Sequence, residues 1–206
     1  MSSHQSRNAF AAPTHEDQCE FLLRLYFGTD PDALSACVRR AYRDLSRTLH
    51  GVARLPDTVE LGKRAAARVR AATAELSSLK SGDQEIFDAW HLDACTNLCA
   101  LYAESAFPSF RIGQAQKWLN MAFKYVHAFG EKRLPGFERL YRFGHVPLDN
   151  VMLGALRPYG APRLSGAWSR IHDYSEYMHL QDWIRHHFPA CAPLAVEFHL
   201  WLTAES

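Results

Sequence analysis

The stretch FRIGQAQKWLNMAFKYV, residues 110–126, constrains the fold more than any other part of the chain. It is as apolar as a buried helix, yet it keeps two lysines, Lys117 and Lys124, seven positions apart. Seven residues make two helical turns, so both ammonium groups share one face while Trp118, Leu119, Ala122, Phe123, Tyr125 and Val126 cover most of the remainder. On spacing alone, such lysines snorkel out of an amphipathic helix into water. A second reading puts them in a polar cleft, where partial burial and a neighbouring ammonium favour the neutral amine, which is a nucleophile.

The rest of the chain is also patterned for helices. Phe21, Leu22, Leu25 and Tyr26 recur with helical period in EDQCEFLLRLYF. Asp30-Pro31-Asp32 is a start signal, with proline at the first helical position, for ALSACVRRAYRDLSRTLHGV, which runs to a glycine stop. TVELGKRAAARVRAATAELSSLKSG predicts a long exposed helix, and FDAWHLDACTNLCALYAESAF predicts another that ends before Pro108. Residues 131–148 hold a short helical piece between Gly and Pro breaks, and further helices are expected near 150–158, 174–187 and 194–203. No alternating strand pattern and no repeat is found. The expectation is an all-α protein of two helical lobes with a cleft between them. Residues 1–15 read as a loose arm and residues 16–206 as a single helical domain.

At 206 residues and 48% hydrophobic, the chain is long enough to bury one sizeable core. Its apolar stretches are interrupted by Lys, Asn, His or Arg well short of the roughly 18 residues of a membrane span, and MSSHQSRNAFAAPTHED has no hydrophobic signal core. A cytoplasmic protein with no membrane partner is therefore expected. Five cysteines, Cys19, Cys37, Cys95, Cys99 and Cys191, are odd in number and scattered, and no CxxC pair occurs, which fits reduced thiols. The net charge of +1 conceals two basic stretches: residues 39–80 carry ten Lys/Arg against four Asp/Glu, and residues 111–143 carry seven against two. Clustered basic charge on a nearly neutral chain predicts a polyanion-binding face, although a solvated helix surface gives the same count.

Three elements carry candidate chemistry. Gly113 and Gln114 stand just before the lysine helix, and a glycine there lets backbone amides approach a phosphate closely. Asp149, in HVPLDN, stands before an apolar run as an N-cap aspartate does. An ordinary cap is the default; a carboxylate so fixed can also face the lysine helix and accept a proton from an amine. In the tail, PLAVEFHLW, Glu197 and Trp201 are four apart and share a helical face, as they also would in a helix that merely closes the core.

Taken in this order, the three elements resemble the helix-hairpin-helix DNA glycosylases, most closely the archaeal 8-oxoguanine glycosylase branch. That superfamily places a nucleophilic lysine shortly after a hairpin and an aspartate after a P-(V/I/L)-D motif. Here the interval from Lys117 to Asp149 is 32 residues, similar to the wider archaeal spacing. Pro193, Leu194, Leu200 and Trp201 match a C-terminal P-L-x-x-D-x-x-L-W motif, with Glu197 in place of its aspartate. The similarity covers residues 107–201.

The resemblance implies excision of an oxidised or modified purine, similar to 8-oxoguanine, with associated AP-lyase cleavage through a lysine Schiff base. Lys117 would be the nucleophile and Asp149 its activator. Lys124, Met121, Glu197 and Trp201 would form the base pocket, with Trp90 as a further stacking partner, and Gly113 and Gln114 would contact the DNA backbone. The implied partner is duplex DNA with a base flipped out of the stack. The protein is expected to act as a monomer, with no cofactor and no metal. Three departures are evident: Glu197 is longer by a methylene than the family's aspartate, Met121 stands where an aromatic residue is usual, and GQAQ lacks the L-P-G-(V/I)-G hairpin sequence. The four clustered cysteines that hold an iron-sulfur centre in some relatives are absent.

Other classes compete. Arg43 and His50 resemble the R-x-x-x-x-x-x-H signature of HEPN-type ribonucleases, helical proteins of defence and toxin systems, in which the two residues would meet across a dimer. His91, Cys95 and Cys99 recur every four residues on one helix face and would suit a metal, though no fourth ligand is evident and Cys in an apolar helix is ordinarily core. A non-catalytic helical DNA-binding module accounts for the basic stretches equally well.

Overall fold

Helices and 3-10 turns make up the regular structure of the protein, seen here in a computed structural model that describes residues 12–78 and 82–203; no strand occurs among them. Most of the expected arm, residues 1–11, lies outside the described residues, and the first helix begins within the arm's expected span. That helix, α1 (His15–Phe27), opens on a capping box in which the Thr14 hydroxyl accepts from the Asp17 amide and the Asp17 carboxylate accepts from the Thr14 amide. No residue of α1 is buried, and Phe21, Leu22 and Leu25 are 64%, 61% and 72% exposed. The helical period in its sequence is real, but its apolar side is left largely uncovered.

Helix α2 (Ala33–Ser46) is capped by Asp32, so Pro31 precedes the cap instead of occupying the first turn. It stops before the expected glycine because the Thr48 hydroxyl takes the Leu45 carbonyl at 2.7 Å, and the chain then turns through Gly51 at φ +91°. Helix α3 (Thr58–Ser78) buries a single stripe, Leu61, Ala65, Val69, Thr73 and Leu76, as expected for a mostly exposed helix. Helix α4 (Gln84–Glu104) starts at Asp83, whose carboxylate accepts the Ile86 amide at 2.8 Å.

Helix α5 (Ile112–Phe129) is the axis of the fold. Every residue from Ile112 to Val126 is buried, against α2 and α3 and against α4. The indole of Trp118 donates to the Val38 carbonyl at 3.0 Å and so fixes α2 across it. One continuous cluster of buried side chains runs from Leu34 on α2 to Leu200 near the C-terminus. A 3-10 helix at Glu138–Phe143 follows, then an extended segment, residues 144–148, then α6 (Asn150–Leu156), α7 (Tyr174–His187) and α8 (Pro193–Thr203). No helix among the described residues is long and apolar enough to cross a membrane. The five cysteines are free thiols.

Two glutamines hold the extended segment. Gln181 on α7 accepts the Val146 amide at 3.0 Å and donates to the Val146 carbonyl at 2.8 Å. Gln116 on α5 does the same to Leu148, at 3.1 and 2.9 Å. Each side-chain amide stands in for the missing partner strand, satisfying buried backbone groups that would otherwise cost about 1–3 kcal/mol apiece. The next residue after these clamps is Asp149.

Candidate functional site

Asp149 is held from two directions. One carboxylate oxygen accepts the Met152 amide at 2.8 Å and caps α6; the other faces the Lys117 ammonium at 2.6 Å. Lys117 itself is 4% exposed and Lys124, two turns further along α5, is 7% exposed, so neither lysine snorkels into water. Lys124 reaches α8 instead. Its Nζ lies 2.7 Å from Glu197 Oε1 and over the rings of Phe198 and Trp201, at 4.9 and 5.2 Å from their centroids. The other Glu197 oxygen, Oε2, is buried with no hydrogen-bond partner among the described residues. Burial pushes the Glu197 carboxyl above the ordinary glutamate value, against the lowering effect of the Lys124 ammonium.

Both lysine–carboxylate pairs open into one cavity of about 780 Å³, lined from α1, α2, α5, α6 and α8. Met121, Met152, Leu22, Leu23, Phe27 and Trp201 supply its apolar surface. That combination, a mostly apolar hollow with a few convergent charged groups, is the usual make-up of a small-molecule site.

The cavity lining also holds a polar network that the sequence did not reveal. Tyr125 donates to Asp44 at 2.5 Å, and Arg40 bridges from Asp44 at 2.8 Å to the Tyr26 hydroxyl at 2.7 Å. The Tyr26 and Tyr125 hydroxyls are 3.1 Å apart, and the Arg40 guanidinium lies over the Tyr26 ring at 4.2 Å. Burial and the Asp44 carboxylate hold the Tyr125 phenol firmly protonated. The available signals were the four-residue spacing of Arg40 and Asp44 and the place of Tyr125 next to Lys124.

The structure thus brings Lys117, Asp149, Lys124, Met121, Glu197 and Trp201 to one cavity. Compared with family models, with curated proteins and with solved structures, the chain matches none.

Three expected contributors lie elsewhere. Trp90 packs between α3 and α4, where its indole donates to the Ala72 carbonyl at 3.0 Å, and it does not line the cavity. Gly113 is the second residue of α5, and its amide donates to the Ile171 carbonyl at 2.9 Å. A Cβ there would sit 1.9 Å from the Trp168 carbonyl oxygen, so the glycine admits another stretch of backbone, not a phosphate. Gln114 is 4% exposed; its side chain accepts the Arg111 amide and donates to the Thr48 carbonyl, and its own amide donates to Arg111. The amides assigned to DNA are already in use within the fold.

His91 and Cys95 are buried on α4, His91 bonds the Tyr174 hydroxyl at 2.8 Å, and burial pushes the Cys99 thiol up to about 11. Among the described residues no group of three or more His, Cys, Asp or Glu is arranged to hold a metal. Arg43 and His50 are both exposed, Arg43 on α2 and His50 in the turn beyond it, and neither lines the cavity. Much of the basic excess is neutralised by acids from other segments: Arg39 by Asp30, Arg70 by Asp32, Lys132 by Glu16 and Arg133 by Glu20.

Proposed function

We propose that the protein is a DNA base-excision glycosylase with associated AP-lyase activity, which removes an oxidised or modified purine through a lysine Schiff base. The observation that carries this reading is the pairing of Lys117 with a helix-capping Asp149 inside the cavity that also holds the Lys124–Glu197 pair. On this reading the cavity is the cleft between two helical lobes, with α5 as their shared wall.

The chemistry follows from the positions. A target nucleotide is rotated out of the duplex, because its C1′ is out of reach within the stack. Asp149 takes the proton of the Lys117 ammonium, and the neutral amine attacks C1′ as the glycosidic C–N bond breaks and the base leaves with the bonding electrons and acquires a proton. The sugar ring opens to an imine on Lys117; loss of a C2′ proton expels the 3′ phosphate, and water then frees the lysine. The buried, unpartnered Glu197 oxygen accepts an N–H of the extruded base, while Met121 and Trp201 offer it apolar faces.

The test is a set of labelled duplexes containing 8-oxoguanine, uracil, an abasic site or no lesion, incubated with and without borohydride. A covalent adduct on a lesion-bearing duplex is expected, lost in Lys117→Gln with DNA binding nearly intact. Strand cleavage at the wild-type rate by that variant would remove Lys117 from its role, and no adduct on any duplex would remove the reading.

A further inference from the structure

Arg43, Arg47 and Arg54 are exposed, and none of their guanidinium groups has a hydrogen-bond or ion-pair partner among the described residues, in contrast to Arg39, Arg40 and Arg70 nearby. Arg43 and Arg47 are one helical turn apart at the end of α2, so their side chains rise from the same face about 5–6 Å apart at Cβ. Arg47 also lines the cavity that holds the Lys124–Glu197 pair. The acids within reach are committed elsewhere: Asp44 to Arg40 and Tyr125, and Glu60 to Lys63. Asp57, at the start of α3, is the nearest remaining carboxylate in sequence.

The neighbourhood at α5 sharpens the point. Gly113 and Gln114 spend their amides on Ile171 and Arg111, so the start of the lysine helix offers no such contact to a strand. Yet Gln114 ties that helix start to the Thr48 carbonyl, directly after Arg47. Of the arginines that line the cavity, Arg40 is paired with Asp44 and Arg133 with Glu20, which leaves Arg47, at the α2 end, as the exposed one without a partner among the described residues.

We propose that the end of α2 and the turn after it are the DNA-backbone contact of this protein. Arg43 and Arg47 bind consecutive phosphates of the strand whose extruded nucleotide enters the cavity, and Arg54 extends the track. This rests on the reading of the cavity as a DNA site. It also gives Arg43 of the Arg43–His50 motif a role that needs no dimer, as a phosphate ligand.

The experiment is a salt titration of binding to labelled duplexes, one undamaged and one bearing a stable abasic analogue, by the full chain. Double-stranded DNA gives a slope in log affinity against log salt of about −0.9 for each phosphate neutralised, so Arg43→Gln/Arg47→Gln is expected to flatten the slope by about 2 on both duplexes alike. Arg64→Gln/Arg68→Gln, which removes the same charge from exposed positions on α3, is expected to leave the slope unchanged. Borohydride trapping at saturating protein should survive in the α2 double variant, because Lys117 and Asp149 are untouched.

An unchanged slope in the α2 variant, with wild-type trapping observed, overturns the ridge and leaves the glycosylase reading standing. A flattened slope with no trapping by any form supports the ridge and overturns the glycosylase chemistry. No binding of either duplex by the wild type overturns both. Cleavage of labelled RNA that disappears in Arg43→Gln would reassign these residues to RNA chemistry and overturn the proposal.

Discussion

One methyl group at Gly113 tests how the lysine helix is seated. In Gly113→Ala the new Cβ would lie 1.9 Å from the Trp168 carbonyl oxygen and 2.9 Å from its carbon. Both are backbone atoms, which cannot swing aside as a side chain can. The 168–171 segment would have to retreat by roughly 1.5 Å to reach van der Waals contact, and overpacking of this kind costs about 1–3 kcal/mol. The retreat also breaks the Gly113 amide bond to Ile171, now 2.9 Å, worth about 1 kcal/mol. Alanine's better helix propensity returns less than about 1 kcal/mol so near a helix start. The net expectation is a loss of about 2–3 kcal/mol, which for a chain of this size lowers Tm by roughly 5–10 °C.

Differential scanning calorimetry and urea unfolding would measure it, with Gly62→Ala as the matched control. Gly62 lies within α3 with nothing inside 4 Å of its notional Cβ, so the same change there should stabilise by about 0.5–1 kcal/mol. A Gly113→Ala variant that melts with the wild type would refute the packing argument. Its defect should then appear in DNA binding instead, as a glycine reserved for phosphate would require.

The remaining predictions concern buried charge. Lys124→Met leaves the Glu197 carboxyl buried without its cation and should destabilise by about 3–5 kcal/mol in urea unfolding, whereas adding Glu197→Leu should recover most of that loss. A Lys124→Met protein as stable as the wild type would mean that the pair is open to water. Burial holds His91 and His145 below the ordinary imidazole value of 6.5. The unfolded chain therefore takes up protons that the folded protein refuses, and stability should fall as the pH drops below about 6.5, by at most about 1.4 kcal/mol per pH unit for each histidine. Glu197 acts in the opposite sense: its raised value lets the folded protein keep a proton the unfolded chain has lost, so its contribution is fully present below 4.5 and declines as the pH rises through the folded value. Calorimetry from about pH 7.5 to about pH 5.5 should show Tm falling on acidification, and a flat profile would contradict the histidine assignment.

Local signals in the chain corresponded to local structure. Asp149 before an apolar run caps α6, the lysine stretch forms a helix buried on nearly all sides, and α3 is the long, mostly exposed helix expected of its sequence. The boundaries that shifted did so for side-chain reasons: Thr48 ends α2 early by taking a carbonyl, and Asp83 starts α4 before the first expected apolar residue. Where partners come from distant segments, the sequence was silent. Nothing local to Lys124 names Glu197, 73 residues on, as the acid that meets it, and nothing near Asp149 shows that Gln116 holds the preceding residue by two hydrogen bonds. Trp90 has the same hydrophobic character as the aromatic residues of the cavity, yet it packs between α3 and α4 and lies outside it.

By itself the sequence determined the helices, their caps and the face that the two lysines share, because helical period and capping are set by residues within a turn or two of one another. Only the tertiary structure decided which carboxylate each lysine meets, that the Gly113 amide is taken by backbone, and that Arg43 and Arg47 are left facing solvent beside the cavity. Those outcomes depend on how helices far apart in the chain pack together, and the short-range pattern of side chains carries no record of that choice.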